Sequence, residues 1–230
     1  MAERLAGETA AGGRPPTLVV FELEPCITIG RLGSRADVAL AADELAARRL
    51  AVRFAGRGGG AVLHGPGQVC VSLFAALEDL GLADRDVGGL VERFEHGLAA
   101  ALRGLKAAAI RRPGAAGVFG RTGLLAAVGL AVRRGGVAHG GFVNVGPALD
   151  LHHRVTSQRL PTGQGAWQSV VMSSVEAEIQ RRVRLQDART AIAAALADSF
   201  GFEQPHVHSG FPLVPAALGS SALEHVARVG

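Results

Sequence analysis

The residues with the densest potential for chemistry run from Arg57 to Gln68, RGGGAVLHGPGQ. Three glycines lead into an apolar stretch that ends at a histidine and a second Gly/Pro turn. Glycine has no Cβ, so backbone N–H groups can approach a ligand closely, as they do in phosphate and carboxyl cradles. On these residues alone the stretch fits a tight turn, a ligand cradle or a fragment of an RNA-binding RGG repeat. The strand-like flanks argue against the last, because RGG segments are repetitive and disordered.

Other chemistry-bearing residues are fewer. Cys26 and Cys70 are the only cysteines and each lies inside an apolar run, which reads as buried core thiols rather than a disulfide framework. The pairs His152-His153 and His206/His208 have no acidic or thiolate partner at metal-ligand spacing and read as ordinary loop histidines, so no metal is expected. Lys106 is the sole lysine and falls at the end of an amphipathic stretch, where a helix-terminal role suits it.

Elements that could position these residues follow from periodicity. Thr17 to Glu22, Cys26 to Ile29, Ala51 to Phe54, Ala61 to His64 and Val69 to Leu73 read as strands separated by Gly/Pro turns. Ala41 to Arg49 reads as a short helix. Leu90, Phe94, Leu98, Ala101, Leu102 and Leu105 share one face of a longer one. Val118 to Val132 and Phe142 to Val145 return to strand character. Ser173 and Glu176 form a capping-box signature for a helix through about Leu185, and Ile192, Leu196 and Phe200 stripe a last helix. Strands interleaved with helices, without regular β-α-β alternation, predict an α+β domain of mixed sheets flanked by helices. The expected boundaries are a loose, disordered Ala/Gly/Pro-rich tail over 1–15, one domain over 16–202, and an unassigned extension over 203–230.

With 230 residues, 48% of them hydrophobic, the chain can bury one sizeable core. No apolar run reaches the roughly 20 residues that span a bilayer, and the first residues lack a signal peptide's apolar region, so the expectation is a cytoplasmic protein with no membrane partner. Its 24 Lys+Arg against 20 Asp+Glu give a net charge of +4, and the arginines are scattered. Such a charge does not demand nucleic acid and suits an acidic protein partner equally well.

The motifs together resemble the octanoyltransferases of lipoate synthesis, on the biotin/lipoate protein ligase fold. The resemblance is carried by Arg57-Gly58-Gly59 followed by His64 to Gln68 (HGPGQ), and by Gly58 to Val62 with His64. It extends through Glu22 to Arg31, Gly117-Val118, Ala127 to Gly129, Arg133-Arg134, His139-Gly140 and Asn144, over about residues 17 to 200. It implies transfer of an octanoyl group from acyl carrier protein to a lipoyl-domain lysine through a thioester. It also implies a binding cradle made of Arg57, Gly58, Gly59, Gly60, Ala61, Val62, Leu63, His64, Ala127, Val128, Gly129, His139, Gly140, Gly141, Phe142 and Asn144.

Two positions depart from that pattern. Leu124 stands where the resemblance places a catalytic lysine. In Pro161-Thr162-Gly163, Thr162 stands where it places the nucleophilic cysteine. Leucine cannot polarise a thioester carbonyl, and a hydroxyl needs a base that a thiol does not. Losing a nucleophile can cost on the order of 10⁶ in rate. The expectation is therefore a family member that binds an octanoyl or lipoyl group, or the carrier or lipoyl-domain protein that bears it, with the usual chemistry lost or altered. The alternative is an active transferase using Thr162 or Cys70 with a histidine base. Neither an ATP site nor any other cofactor is expected, since Leu124 removes the charge that the related ligases use to activate the acyl group.

Overall fold

The computed structural model describes residues 2–162 and 166–208. Eleven strands and five α-helices are defined among them. The main sheet has six strands: β1 (Thr17–Phe21), β5 (Gln68–Ala76), β9 (Gly136–Asn144), β8 (Leu124–Arg133), β7 (Gly117–Phe119) and β6 (Ile110–Arg111), in that order, with every neighbouring pair antiparallel. A second sheet has β2 (Cys26–Ile29) at its centre, parallel to β3 (Ala51–Phe54) and antiparallel to β4 (Ala61–His64). The parallel crossover from β2 to β3 carries helix α2 (Ala42–Ala47). A hairpin of β10 (Arg159–Pro161) and β11 (Trp167–Ser169) stands apart from both sheets.

Helices α3 (Val87–Gly104) and α5 (Leu185–Ser199) pack on each other and cover one face of the main sheet. The expected stripe on α3 is the one that is buried: Leu90, Phe94, Leu98 and Leu102 lie in the core with Ile192 and Leu196 of α5. Burying each such side chain contributes roughly 1.5–3 kcal/mol. The small sheet has its own core, in which Ile27 and Ile29 of β2 meet Leu45 of α2 and Leu63 of β4.

Three expectations need correction. The first residues are not a disordered tail. Ala2–Ala10 form helix α1, because Leu5 and Ala6 bury against Phe74 of β5 and Ala138 of β9. The close approach is possible because residue 136 is glycine: a Cβ there would lie 2.5 Å from Ala6 O. The run Val118 to Val132 is two strands, since Gly120 N bonds Gly123 O in a turn between β7 and β8, and the next strand begins at Gly136 rather than Phe142.

The helix expected from Ser173 to Leu185 is also divided. Helix α4 (Val175–Ile179) is capped by Ser174, whose hydroxyl accepts from Ala177 N, and it stops at Gln180 with φ +53°. Leu185 opens α5 instead. Ser173 faces the other way, 2.7 Å from the Thr122 hydroxyl.

Candidate functional site

A cavity of about 270 Å³ lies between the two sheets. Strand alternation explains its walls. In β2, Ile27 and Ile29 point into the small core, so Thr28 between them faces the cavity. In β4, Ala61 and Leu63 point into that same core, while Val62 and His64 face the cavity. From the main sheet come Cys70 and Ser72 of β5, Ala127 to Gly129 of β8, and His139 to Phe142 of β9.

Glycines create the space. Gly129 pairs with Gly140, and Val128 with Gly141, so the centre of the β8–β9 ladder carries little side chain. A Cβ on Gly140 would lie 2.2 Å from Val71 O, and one on Gly129 would lie 2.8 Å from Gly58 O. His139 beside them holds φ +65°, a left-handed conformation that costs a non-glycine residue about 1 kcal/mol or more and is concentrated at functional sites.

The polar end of the cavity is an ordered chain. Arg57 Nη2 donates to Thr28 O (2.8 Å) and Thr28 Oγ1 (2.6 Å), Nε donates to the same hydroxyl (3.2 Å), and Nη1 donates to Gly58 O (2.9 Å). Thr28 Oγ1 lies 2.8 Å from His64 Nε2, and His64 Nδ1 lies 2.5 Å from Gln68 Oε1. Gln68 Nε2 donates to Asn144 Oδ1, and Asn144 Nδ2 donates to Ser173 O. These contacts assign the tautomer: Nδ1–H of His64 donates to the Gln68 carbonyl oxygen, and the Thr28 hydroxyl donates to the Nε2 lone pair.

Electrostatics match this neutral histidine. Burial is the main reason that the His64 pKa falls to about 4, with Arg57 adding to the effect against the opposing hydrogen bond from Gln68. Burial likewise lowers the pKa of His139, helped by the charges of Arg57, Arg31 and Arg133. Cys70 Sγ lies 3.8 Å from His64 Nδ1, yet burial pushes its thiol up to about 12, so it is no thiolate at neutral pH.

The structure brings most of the expected cradle together. Arg57, Gly59, Gly60, Val62, His64, Ala127, Val128, Gly129, His139, Gly140, Gly141 and Phe142 all line the cavity. Gly58, Ala61, Leu63 and Asn144 do not. Gly58 N bonds Leu130 O, joining the loop to β8; Ala61 and Leu63 belong to the opposite face of β4; and Asn144 is a buried strut between Gln68 and Ser173.

Leu124 and Thr162, the two positions expected to depart from the family pattern, are not among the residues that line the cavity. Leu124 is fully buried with Phe119, Phe142, Ala127 and Cys70 in an apolar cluster. Thr162 is on the β10–β11 hairpin, where its hydroxyl donates to Ala166 O at 3.0 Å, and it borders a separate crevice beside Pro161 and Gln168. Gly163 lies outside the described residues.

Sequence reasoning missed Thr28, Ser157, Gln158 and Phe21 as wall residues and named Cys70 only as an alternative nucleophile. Alternation could have flagged Thr28, a lone hydroxyl between two core isoleucines. Ser157 gives no local signal. It reaches the cavity because its loop is stitched to two distant segments, with Thr156 N on Asp37 O, Ser157 O on Gly60 N and Thr156 O on Ala61 N. Ion pairs from Arg154 to Glu44 and from Arg159 to Asp37 brace the same loop.

An antiparallel sheet backed by two helices, a small second sheet and an apolar cavity with a glycine-rich loop at its polar end define an α+β domain with a pocket between its sheets. The chain belongs to the lipoyl protein ligase A/B catalytic domain family, which matches residues 1–197. It is 31% identical to an octanoyltransferase of Geotalea uraniireducens, over 84% of this chain and 82% of that one. It is 34% identical to an octanoyltransferase of Geobacter metallireducens, over 83% and 82%.

Solved structures of the same fold include lipoate-protein ligase A bound with ATP, with a TM-score of 0.66 at 16% identity, covering 89% of this chain and 83% of that one. The bi-partite lipoate protein ligase of Thermoplasma acidophilum superposes with a TM-score of 0.61 at 18% identity, covering 90% and 82%. No helix among the described residues is long and apolar enough to cross a membrane, and no cluster of metal-ligating side chains occurs among them.

Proposed function

We propose that this protein acts in lipoate metabolism as an acyl-binding member of the octanoyltransferase family, holding an octanoyl or lipoyl chain without the cysteine/lysine transfer. The observation that carries the reading is a cavity that is kept while the two expected catalytic positions hold residues unsuited to the usual chemistry. The cavity keeps its glycine-rich loop, its apolar walls and Arg57, while position 124 is a buried leucine and the Thr162 hydroxyl is tied to Ala166 on a hairpin away from the cavity.

Magnitudes favour a cavity with both apolar and polar anchors. An eight-carbon chain buries about seven CH₂ or CH₃ groups at ~0.8 kcal/mol each, some 5–6 kcal/mol, against association costs of at least ~4 kcal/mol. Useful affinity then requires a polar contact, which the Arg57 end supplies. A carrier protein or lipoyl-domain protein of acidic surface is the proposed macromolecular partner, in keeping with Arg31 and Arg133 beside His139. The cell compartment that suits these partners is the cytoplasm.

A second reading, an active transferase with a different nucleophile, is favoured by one observation: Cys70 and Ser157 both lie on the cavity wall. Its weakness is the Cys70 thiol, held protonated by burial.

Incubation of the full chain with octanoyl-acyl carrier protein and a lipoyl-domain acceptor, followed by native and intact mass spectrometry, separates the two. The binder is expected to retain an octanoyl ligand non-covalently, with no mass increase on itself or on the acceptor. A covalent octanoyl adduct or an octanoylated acceptor would establish the transferase, and no bound ligand at all would overturn both.

A further inference from the structure

Two adjacent rows of paired positions on the main sheet form the floor of the cavity and one of its walls. Ser72, Gly140 and Gly129 stand opposite one another in the first row, and Cys70, Phe142 and Ala127 in the second. Strand alternation puts both rows on one face, and all six residues line the cavity. The first row offers no side chain larger than serine and is the floor. In the second row Phe142 stands at the centre of the sheet, 5% exposed, between a cysteine and an alanine. The rows are two residues apart, about 6.6 Å along the strand, so the ring rises where the glycine floor ends.

That ring is braced. It meets His64 edge to face, with ring centroids 5.9 Å apart at 83°, and both nitrogens of that histidine are held, one by Thr28 and one by Gln68. Behind it, Phe119 and Leu124 complete a buried apolar cluster with Val62, Cys70 and Ala127. Close packing of such a cluster leaves a displaced ring no vacant space to enter. Polarity gives the cavity a direction. Arg57 lies over the glycine row, its Cδ 3.4 Å from where a Cβ on Gly129 would stand, whereas Phe21, Val62 and Phe142 make the far side apolar.

We infer that Phe142 sets the length of the acyl chain the cavity accepts: the tail runs from the Arg57 side over Gly129 and Gly140, and its terminal methyl stops against the Phe142 ring. The inference rests on the acyl-binding reading above and names the residue that limits its ligand. Each methylene laid on the apolar wall contributes about fourfold in affinity, while a carbon beyond the ring gains nothing unless a packed aromatic moves. Phe142→Ala would leave a void open to the cavity, because the surroundings of a deleted side chain relax only in part. Leu124→Ala removes volume from the same cluster, but Leu124 does not line the cavity, which makes it the control.

Isothermal titration of the full chain with butanoyl-, hexanoyl-, octanoyl-, decanoyl- and dodecanoyl-pantetheine reads the limit. On the native chain, affinity is expected to climb by about fourfold per carbon through octanoyl, the chain proposed above, and to fall from decanoyl onward. Phe142→Ala, and more weakly Phe142→Leu, are expected to carry the climb on to decanoyl, which Phe142→Ala binds about tenfold more tightly than the native chain does. Leu124→Ala is expected to keep the native limit. Native affinity that goes on rising through dodecanoyl would overturn the inference with no variant required. A limit that both Phe142 variants leave in place, or that Leu124→Ala moves equally, would overturn it too. Those results leave acyl binding intact, whereas binding of none of the five thioesters sinks the acyl-binding reading and the length limit together.

Discussion

The Thr28 hydroxyl stands 2.8 Å from His64 Nε2 and at the same time accepts two N–H groups of Arg57. One side chain of β2 therefore fixes the arginine that heads the glycine-rich loop and occupies the only lone pair of the neutral histidine that ends the following strand. His64 is thereby made a structural hydrogen-bonding group, with no free lone pair for abstracting a proton. Its depressed pKa has the same consequence.

Thr28→Val is isosteric but leaves Arg57 Nε and His64 Nε2 without their partner. It is expected to destabilise the fold by about 2–3 kcal/mol, with Thr28→Ser costing less than about 1 kcal/mol. Urea denaturation midpoints at constant m-value check this. Equal stability of Thr28→Val and the parent would show that the network contributes nothing.

The histidine sets a pH dependence with a definite sign. Its folded pKa of about 4 lies below the ordinary 6.5, so the unfolded chain binds the proton first as pH falls. Stability from this group is fully present above pH 6.5, declines between 6.5 and about 4, and is flat below, for a total on the order of 3 kcal/mol. Denaturation across that window should show the native chain losing more stability than His64→Asn loses. Parallel curves would mean that His64 titrates normally in the fold.

Leu124→Lys places an ammonium among Phe119, Phe142 and Ala127 with no carboxylate in that cluster. A cost of several kcal/mol is expected, against less than about 1.5 kcal/mol for Leu124→Met. Adding Thr162→Cys is expected to yield no octanoyl adduct in intact-mass measurements, because that position borders a different crevice. An adduct on the double variant would show that the hairpin swings its thiol into the cavity.

Cys70 is buried and its thiol is held near pKa 12, so alkylation at neutral pH should leave it unmodified in the native chain and label it fully after denaturation. Peptide mass mapping after a timed iodoacetamide pulse reads this directly. Rapid native labelling would mean that the cavity opens to solvent far more than its walls suggest.

Gly140→Ala is expected to be among the costliest small substitutions, since the added methyl carbon would lie 2.2 Å from Val71 O and 3.0 Å from the Phe94 ring. A loss of about 3 kcal/mol or more in denaturant stability is expected. A near-neutral result would show that β5 and β9 can separate there without penalty.

The strands and the long helices were legible because their signals are local. Alternation in Cys26 to Ile29 and Ala61 to His64, and three- and four-residue spacing from Leu90 to Leu105, are properties of a few consecutive residues. Helix α1 was missed because its nine residues hold only Leu5 as a large apolar group, and its order comes from docking on Phe74 and Ala138. The break at Gln180 was missed because a helix stop in left-handed conformation usually announces itself as glycine.

By itself the sequence determined the first five strands, the glycine-rich loop with its arginine and histidine, and the family to which they belong. Each depends on neighbours along the chain. Tertiary structure alone decided that Thr28 links Arg57 to His64, that Ser157 meets the same wall while Thr162 does not, and that Leu124 closes an apolar cluster. Those relations join residues dozens to about a hundred positions apart, held by pairing and packing that no local pattern encodes.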